Sequence, residues 1–376
     1  MKAARVAGPS RISVCDAPDV SPGPGEILVR MEACGICGSD LEKVFGRYGQ
    51  PSMRLGHEPA GTVVAVGEPA DDAGSGRAKG AGNGSGLDGG LCKGRIPPAA
   101  RLEVGDRVFT HHHVPCHSCH LCLHGRETMC PVYYKTNLSP CGLSEQYVVP
   151  AWNVSHGGVL KISDSTSFAE AAMIEPLACC VRAWRRVSHR PGDTVAVFGV
   201  GPTGVMHAML SAMHGSARTI CLDINDYRLQ FAREVVAGVG SSDLIRSDHD
   251  ARRDALYERT GGLGADVSIV ATSSLAALGD AIATTRRGGT VVMFGVPTKG
   301  AVMEVDMADV YSREITLTTS YAASDVDTAD ALRLIESGKI DAGRLITHMY
   351  RLSDSQEAFE RARAGRGAMK IVITRD

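Results

Sequence analysis

The sequence lacks long hydrophobic runs and has no large excess of charge of either sign. No stretch of its 376 residues approaches the ~18 to 20 consecutive apolar residues that a membrane-spanning helix needs. The opening residues, "MKAARVAGPSRISVCDAP", contain no apolar segment like that of a signal peptide. A formal net charge of −2 and a pI near 6.7 give no broad positive field for a phosphate backbone. We therefore expect a soluble cytoplasmic protein with neither a membrane nor a nucleic-acid partner.

Length and composition favour an α/β protein with two domains or one large one, and with a sizeable core. Hydrophobic residues make up 44% of the chain, and 43 glycines indicate many loops and turns. In a cytoplasmic chain, the 12 cysteines are better explained as metal ligands, catalytic groups or buried thiols than as disulfides. The sequence shows no internal repeat.

The first 70 residues predict short β-strands joined by tight turns. "GEILVRMEACG" (25–35) and "AGTVVAVGE" (60–68) are rich in β-branched residues and are bounded by Gly or Pro. Residues 70–94 contain nine glycines and almost nothing apolar, which predicts a flexible insertion. The strand pattern resumes in "LEVGDRVF" (102–109).

From about residue 157 to about 319 the pattern becomes that of a parallel sheet. Apolar runs such as "TVAVFG" (194–199), "TICLD" (219–223) and "TVVMFG" (290–295) alternate with helical stretches, which is typical of sheets covered on both faces. After about residue 320, "TADALRLIESGKI" (328–340) predicts a helix. The final strand, "AMKIVIT" (368–374), is expected to rejoin the first domain.

A glycine-rich turn in the second part predicts a dinucleotide site. Gly199, Gly201 and Gly204 form a GxGxxG motif between an apolar strand and a helix, and the next strand ends in Asp223. Backbone N–H groups and the helix N-terminus would hold a pyrophosphate. Asp223 would bind the ribose hydroxyls and repel a 2′-phosphate, which favours NAD over NADP, although Arg228 could stack on the adenine or attract that phosphate. The predicted cofactor-binding residues are Gly199, Gly201, Pro202, Thr203, Gly204, Asp223 and Arg228.

Two stretches of the first domain and one of the junction carry candidate zinc ligands. "CGICGSD" (34–40) and "GHEPAG" (56–61) contain Cys37, His57 and Glu58, and "MIEPLACC" contains Glu175. A catalytic zinc site uses three protein ligands and leaves one position open. Taken alone, Cys37 is as well explained as a buried thiol, and His57 as a hydrogen-bonded turn histidine.

Together these motifs resemble those of the zinc-dependent medium-chain dehydrogenases, in order and in separation, over nearly the whole chain except the insertion. The Glu in "EPL" is similar to the polyol (sorbitol-type) and threonine dehydrogenase branch. The resemblance implies a GroES-like, partly open β-barrel catalytic domain (1–156 and 320–376) and a Rossmann coenzyme domain (157–319). It also implies a dimer or tetramer with the active site between the domains.

The resemblance assigns the cysteine-rich stretch "CHSCHLCLHGRETMC" (116–130) to a structural zinc lobe at about 111–135. Four thiolates close a tetrahedral site and leave no position for substrate. A nucleic-acid zinc ribbon needs paired CxxC motifs and a basic surface, and a ferredoxin-like cluster needs a shorter final spacing. The expected ligands are Cys116, Cys119, Cys122 and Cys130, so that each chain holds two Zn²⁺.

The same resemblance implies roles at the catalytic zinc. Cys37 and His57 would bind the ion together with Glu58 or Glu175, and the ion would act as a Lewis acid on the substrate hydroxyl. Ser39 corresponds to the hydroxyl that relays the proton, and Asp40 would support the site from behind. Where relatives commonly carry a relay histidine, this chain has Glu42, which could serve only with a raised pKa.

The substrate is left open between a polyol, a cyclitol or aminocyclitol, and an amino alcohol. His113 resembles a histidine that threonine dehydrogenases keep near the substrate, or it merely ends a strand, whereas His111 and His112 are expected to be structural. Residues 132–140 and 320–324 are expected to line the cleft. Lys370 is expected either near the cofactor pyrophosphate or at the surface.

Two further functions compete with an NAD-linked oxidation of a secondary alcohol. A zinc-free NADPH quinone or enoyl reductase would lack the Cys–His–Glu set and the lobe cysteines. A nucleotide-binding protein without catalysis would be expected to have lost a ligand or the relay hydroxyl, and here only the distal relay position differs.

Overall fold

A computed structural model describes residues 1–46, 54–69, 101–236, 242–248 and 251–376. The expected insertion at 70–94 lies outside the described residues. Within those ranges, no helix combines the length and the apolar character needed to cross a membrane.

The described strands and helices follow the order expected from the sequence. The strands are β1 (Lys2–Gly8), β2 (Arg11–Asp16), β3 (Ile27–Gly35), β4 (Glu58–Val66), β5 (Arg107–Thr110), β6 (Gln146–Val149), β7 (Val159–Lys161), β8 (Thr194–Phe198), β9 (Arg218–Asp223), β10 (Ser242–Arg246), β11 (Ala265–Val270), β12 (Thr285–Met293), β13 (Thr316–Thr319), β14 (Ile346–Arg351) and β15 (Lys370–Thr374). The helices are α1 (Gly38–Phe45), α2 (His120–Leu123), α3 (Ala151–Ser155), α4 (Phe168–Ala171), α5 (Ile174–Trp184), α6 (Pro202–Met213), α7 (Asp226–Val236), α8 (Arg252–Arg259), α9 (Leu275–Thr284), α10 (Met307–Ser312), α11 (Asp325–Glu336) and α12 (Ser355–Ala364).

The catalytic domain is built on a mainly antiparallel sheet in the order β14-β15-β3-β4-β5-β7, with β6 also paired to β3. Strand β3 is buried along most of its length because Ile27, Val29 and Met31 face the core of this domain. The C-terminal strand β15 pairs with β3, so the end of the chain does rejoin the first domain. Strand β7 pairs with β5 and lies beyond the expected domain boundary at residue 156.

The coenzyme domain contains a parallel sheet in the order β10-β9-β8-β11-β12-β13. Central strands β8 and β9 are almost wholly buried, which is why their sequences are continuous apolar runs. The strand order reverses between β8 and β11, and ligands bind parallel sheets at such a point. The expected fold class, a GroES-like domain with a Rossmann domain, is confirmed.

Helix α5 joins the two domains and carries a site residue at its start. Ten of its 11 residues are buried, and it packs against α6 of the coenzyme domain, against α11 and against β4. Glu175 lies in its first turn. Burial on all sides fixes this helix, and with it the position of Glu175 in the cleft.

Candidate active site

Cys37, His57 and Glu58 come together although they lie on different elements. Cys37 is the residue before α1, and His57 precedes Glu58, which begins β4. Gly56 has a φ of +77°, and a side chain there would collide with Leu143, so the bend before His57 requires glycine. One ligand atom from each of Cys37, His57 and Glu58 lies within 4.8 Å of the others. Thiolate, imidazole and carboxylate fit a zinc ion with one open position.

Asp40 holds His57 from the side away from the metal position. Its side chain is fully buried, with one oxygen 3.3 Å from His57 Nδ1 and the other accepting a hydrogen bond of 2.9 Å from Lys43 Nζ. Burial acts to raise the pKa of Asp40, but His57 and Lys43 outweigh it and keep that pKa well below its usual range. A charged Asp40 at Nδ1 leaves His57 Nε2 as the nitrogen available to an ion. The supporting role expected for Asp40 agrees with this geometry.

Glu58 forms a buried ion pair with Lys370 of β15. Lys370 is 3% exposed and Glu58 is fully buried, so the expectation of a surface lysine is wrong. Gly35 makes room for the pair, because a Cβ there would overlap the Glu58 carboxylate and touch Lys370. No sequence motif signals this contact, which joins residues more than 300 positions apart.

Glu175 is the second carboxylate near the site but is not part of the closest set. It is 5% exposed, and Cys179 Sγ lies 3.5 Å from its Oε1. Burial raises the pKa of Glu175, nearby His57 lowers it and Glu58 raises it further. Among the described residues, the compact group of potential ligands contains Glu58 and not Glu175.

The two expected proton-relay residues lie on the exposed face of α1. Ser39 is in the first turn, two residues after Cys37, and is exposed. Glu42 is also exposed, and its carboxylate folds back against Gly46 at the far end of the helix. The side chain of Glu42 is therefore directed away from the turn that holds Ser39.

The four lobe cysteines have the geometry of a tetrahedral metal site. The sulfur of Cys116 lies 3.5 Å from that of Cys130 and 4.0 Å from that of Cys122, and Cys119 lies 3.6 Å from Cys122 and 3.8 Å from Cys130. Zinc–sulfur bonds of ~2.3 Å arranged tetrahedrally place the sulfurs about 3.8 Å apart. The lobe thus fits a closed zinc site.

Buried charges dock this lobe onto the helices of the cleft. Arg182 of α5 donates to Glu127 of the lobe at 3.0 Å and to Asp327 of α11 at 3.3 Å. His117, between the first two cysteines, lies 2.9 Å from Asp325. The lobe is therefore fixed to α5, and through His117 to α11.

The glycine-rich turn has the expected shape for a dinucleotide. Gly199 has a φ of +88°, and a Cβ on Gly204 would overlap the Gly199 carbonyl oxygen. Pro202 and Thr203 begin α6, whose N-terminus is directed at the turn. These local features follow directly from the motif.

Asp223 and Arg228 border that turn. Asp223 is buried at the end of β9 and accepts backbone N–H groups from Val200 at 2.8 Å and Asn225 at 2.9 Å. The Arg228 guanidinium lies beside Gly201 and beside Gly365 of the catalytic domain, with Nε buried and unpaired among the described residues. Asp223 thus holds the turn through the backbone of Val200, and the Arg228 guanidinium lies between Gly201 and Gly365.

The three consecutive histidines have different surroundings. His111 is fully buried with Nε2 3.1 Å from the Ala323 carbonyl, which supports a structural role. His113 is partly exposed, and its Nδ1 lies 2.7 Å from the Thr136 carbonyl. The ring of His112 is partly exposed and lies 5.1 Å from that of His57, so the structural role expected for it stays a prediction. "HHH" carries no signal that separates these three environments.

Comparison with known proteins agrees with this geometry. The alcohol dehydrogenase GroES-like domain model matches residues 23–161, and the zinc-binding dehydrogenase model matches residues 202–337. The chain is 28% identical to sorbitol dehydrogenase of Bacillus subtilis (94% of this chain, 90% of the relative) and 29% identical to that of Gallus gallus (96% and 92%). Its fold is similar to that of 2R,3R-butanediol dehydrogenase from Bacillus subtilis, with a TM-score of 0.79, 24% identity, and coverage of 100% of this chain and 99% of that one. With both domains and the ligand set in place, the chain belongs to the zinc-dependent medium-chain dehydrogenases, oxidoreductases that act on the CH–OH group.

Proposed function

We propose that the protein oxidises a secondary alcohol group of a polyol to a ketone and transfers the hydride to NAD. The observation that carries this proposal is the compact Cys37–His57–Glu58 set, together with a second buried carboxylate, Glu175. Relatives named sorbitol dehydrogenase and D-xylulose reductase, which match 94% and 93% of this chain, support a polyol substrate. The ligand set argues against a zinc-free reductase.

Each residue of the site has one task in this reaction. Cys37, His57 and Glu58 would hold the catalytic zinc, with Glu175 as the alternative carboxylate. When bound, the ion supplies Lewis-acid polarisation of the substrate oxygen. Ser39 Oγ would accept the hydroxyl proton as that oxygen gives up its hydrogen. Asp40 keeps the His57 imidazole in the orientation that presents Nε2.

The position of Glu42 gives less support to a role in the proton relay than the sequence motif does. Its carboxylate is exposed and folds toward Gly46, so a proton leaving Ser39 reaches solvent without it. We expect Glu42→Gln to leave the pH–rate profile unchanged, whereas Ser39→Ala should lower kcat about 100-fold or more. If the acidic limb of the pH–rate profile shifts in Glu42→Gln, Glu42 takes part in the proton relay.

Asp223 supports NAD as the coenzyme. Both carboxylate oxygens are fixed by backbone N–H groups, which leaves the remaining lone pairs for the ribose hydroxyls and places negative charge where NADP has a phosphate. Arg228 lies by Gly201, nearer the pyrophosphate position, and would bind there. Two Zn²⁺ per chain, one in the lobe and one in the cleft, complete the proposed cofactors.

An amino-alcohol substrate of the threonine type is the second candidate. It is favoured by His113, whose partly exposed ring lies 4.1 Å from that of His112. An ammonium group would need a carboxylate partner, and the exposed carboxylate of Glu42 is directed away from Ser39. A polyol is therefore the better supported substrate.

A homo-oligomer formed through the coenzyme domain is also proposed. Strand β12 lies inside the sheet, so its "TVVMFG" run is not the edge that could pair with a second copy. Strand β13 forms that edge, and Leu317 on it and Val302 nearby are exposed apolar residues. A cytoplasmic location and the absence of nucleic-acid partners remain expectations from composition.

The proposal is tested by initial rates of NAD reduction with zinc-replete protein. Simple secondary alcohols, polyols, cyclitols, aminocyclitols and threonine-like amino alcohols are compared, with NADP in parallel and metal content measured on the same sample. Turnover of polyols with NAD is expected. If protein shown to hold zinc and NADH oxidises none of these alcohols, the proposal is contradicted.

A further inference from the structure

The chain leaves the coenzyme domain through residues 320–324, which we call the return segment. It joins β13, the edge strand of the parallel sheet, to α11, which packs against α5. Beyond α11 the chain enters the sheet of the catalytic domain through β14. The conformation of the return segment therefore helps to set how the two domains are placed relative to each other.

One backbone carbonyl of the return segment is bound by two side chains of the catalytic domain. The Tyr133 hydroxyl donates to the Ala323 carbonyl oxygen at 2.5 Å, and His111 Nε2 lies 3.1 Å from the same oxygen. A carbonyl oxygen can only accept, so Nε2 carries the hydrogen of the His111 ring. All three residues are fully buried, so water does not compete for this carbonyl. We call Tyr133 and His111 the carbonyl clamp.

We propose that the carbonyl clamp positions the return segment so that both domains contact the coenzyme, and that Tyr133 is a positioning residue for NAD binding. The inference rests on the part of the proposed function that assigns NAD to the glycine-rich turn, and it does not depend on which alcohol is oxidised. It gives Tyr133 and His111 a task that the sequence motifs do not indicate.

The residue before Ala323 has a backbone conformation that few residues adopt. Ala322 has a φ of +53°, in the left-handed region, where a residue with a Cβ is strained. Such a conformation persists only where the surrounding contacts determine it. Ala322 packs against the lobe residues Cys122, Cys130 and Tyr133. The return segment thus has one fixed path and is not a loose linker.

Charged contacts hold the residues that follow the return segment. Asp325 and Asp327 lie in the first turn of α11. Asp325 lies 2.9 Å from His117 of the lobe, and Asp327 accepts hydrogen bonds from Arg182 and Arg185 of α5. These contacts fix the start of α11, whereas the carbonyl clamp holds the backbone of the return segment itself.

Coenzyme binding depends on the clamp because both domains meet at the glycine-rich turn. The Arg228 guanidinium, from α7 of the coenzyme domain, lies beside Gly201 and beside Gly365 of the catalytic domain. A ligand that needs both domains binds with an affinity reduced by the fraction of molecules in which they are correctly placed. Loss of one clamp hydrogen bond lowers that fraction. One net hydrogen bond between uncharged groups corresponds to about 2- to 12-fold in an equilibrium constant.

The test compares two buried tyrosines. Tyr133→Phe removes the hydroxyl of the clamp. Tyr147→Phe is the matched control, because Tyr147 is also fully buried and its hydroxyl lies 2.9 Å from Thr110 Oγ1, inside the catalytic domain. Each variant loses one buried hydroxyl and one hydrogen bond, so a general loss of stability affects both.

The affinity for NADH is measured by fluorescence titration of the zinc-replete protein without alcohol. Melting temperature, zinc content and backbone hydrogen exchange of the peptide that spans 320–327 are measured on the same samples. For Tyr133→Phe we expect the Kd for NADH to rise about 2- to 12-fold and this peptide to exchange faster. Tyr147→Phe should keep the wild-type Kd and the wild-type exchange of this peptide.

The outcomes separate this inference from the proposed function. Wild-type protein that binds neither NADH nor NADPH overturns the coenzyme part of the proposed function. Wild-type binding with the same Kd in Tyr133→Phe and Tyr147→Phe overturns the clamp inference alone. A lower Kd in Tyr133→Phe also overturns it, because the clamp would then oppose coenzyme binding.

A second variant covers the case in which Tyr133→Phe does not fold or loses zinc. His111→Leu removes the other donor of the clamp from outside the cysteine cluster. His111 Nδ1 has no hydrogen-bond partner among the described residues, so the change leaves no other group unpaired. An unchanged Kd for NADH in His111→Leu then overturns the inference, and a raised Kd supports it.

Discussion

Replacing Lys370 by Met is expected to destabilise the catalytic domain far more than the same substitution at an exposed lysine. Lys370 and Glu58 pair inside the protein, with side chains 4% and 0% exposed. The variant leaves the Glu58 carboxylate buried without its cation. Removing one partner of a buried pair typically costs about 3–5 kcal/mol, whereas an exposed pair contributes about 0–1 kcal/mol. For a domain of this size, the larger cost corresponds to a drop in melting temperature of about 10 °C.

Lys2→Met is the matched control, because Lys2 pairs with Asp16 at 2.7 Å while both side chains are largely exposed, at 48% and 87%. The double variant Lys370→Met/Glu58→Gln removes both charges and should recover part of the stability. Melting is followed by calorimetry at pH 7 on metal-free protein, so that the ion cannot replace the missing cation. Equal melting temperatures for Lys370→Met and Lys2→Met would refute the reasoning.

Two further predictions concern the coenzyme domain. Asp223→Asn should lower kcat/KM for NAD about 10- to 100-fold, because it weakens charge-assisted hydrogen bonds to the ribose. The preference for NAD over NADP should also become smaller. An unchanged ratio of kcat/KM for the two coenzymes would contradict this assignment. His207 is fully buried beside Trp184, and burial lowers its pKa to about 3. The unfolded chain takes up this proton below about pH 6.5 and the folded chain only near pH 3, so stability should fall as the pH drops through that window, by about 2 kcal/mol between pH 6.5 and 5. His207→Gln should show a shallower loss in urea unfolding over that range, and an identical pH dependence would refute the assignment.

The sequence by itself determined the fold class, the family, the dinucleotide turn and both sets of potential zinc ligands. These features depend on short-range patterns. GxGxxG requires glycine where Gly199 has a positive φ and where Gly204 meets a carbonyl, and the cysteine spacing of the lobe lets one loop close around an ion. Such constraints follow from residues that are close together in the sequence, and they need no knowledge of distant contacts.

Only the tertiary structure decided how side chains from distant segments meet. The surroundings of His111 and His113 depend on which carbonyl each ring reaches, and Ala323 and Thr136 come from other parts of the chain. The pairing of Lys370 with Glu58 depends on β15 returning to β3, and the edge of the parallel sheet depends on the placement of β13. His112 and His113 are neighbours in the sequence, yet their rings have different surroundings. The local sequence does not encode this difference, because long-range hydrogen bonds and packing orient the rings.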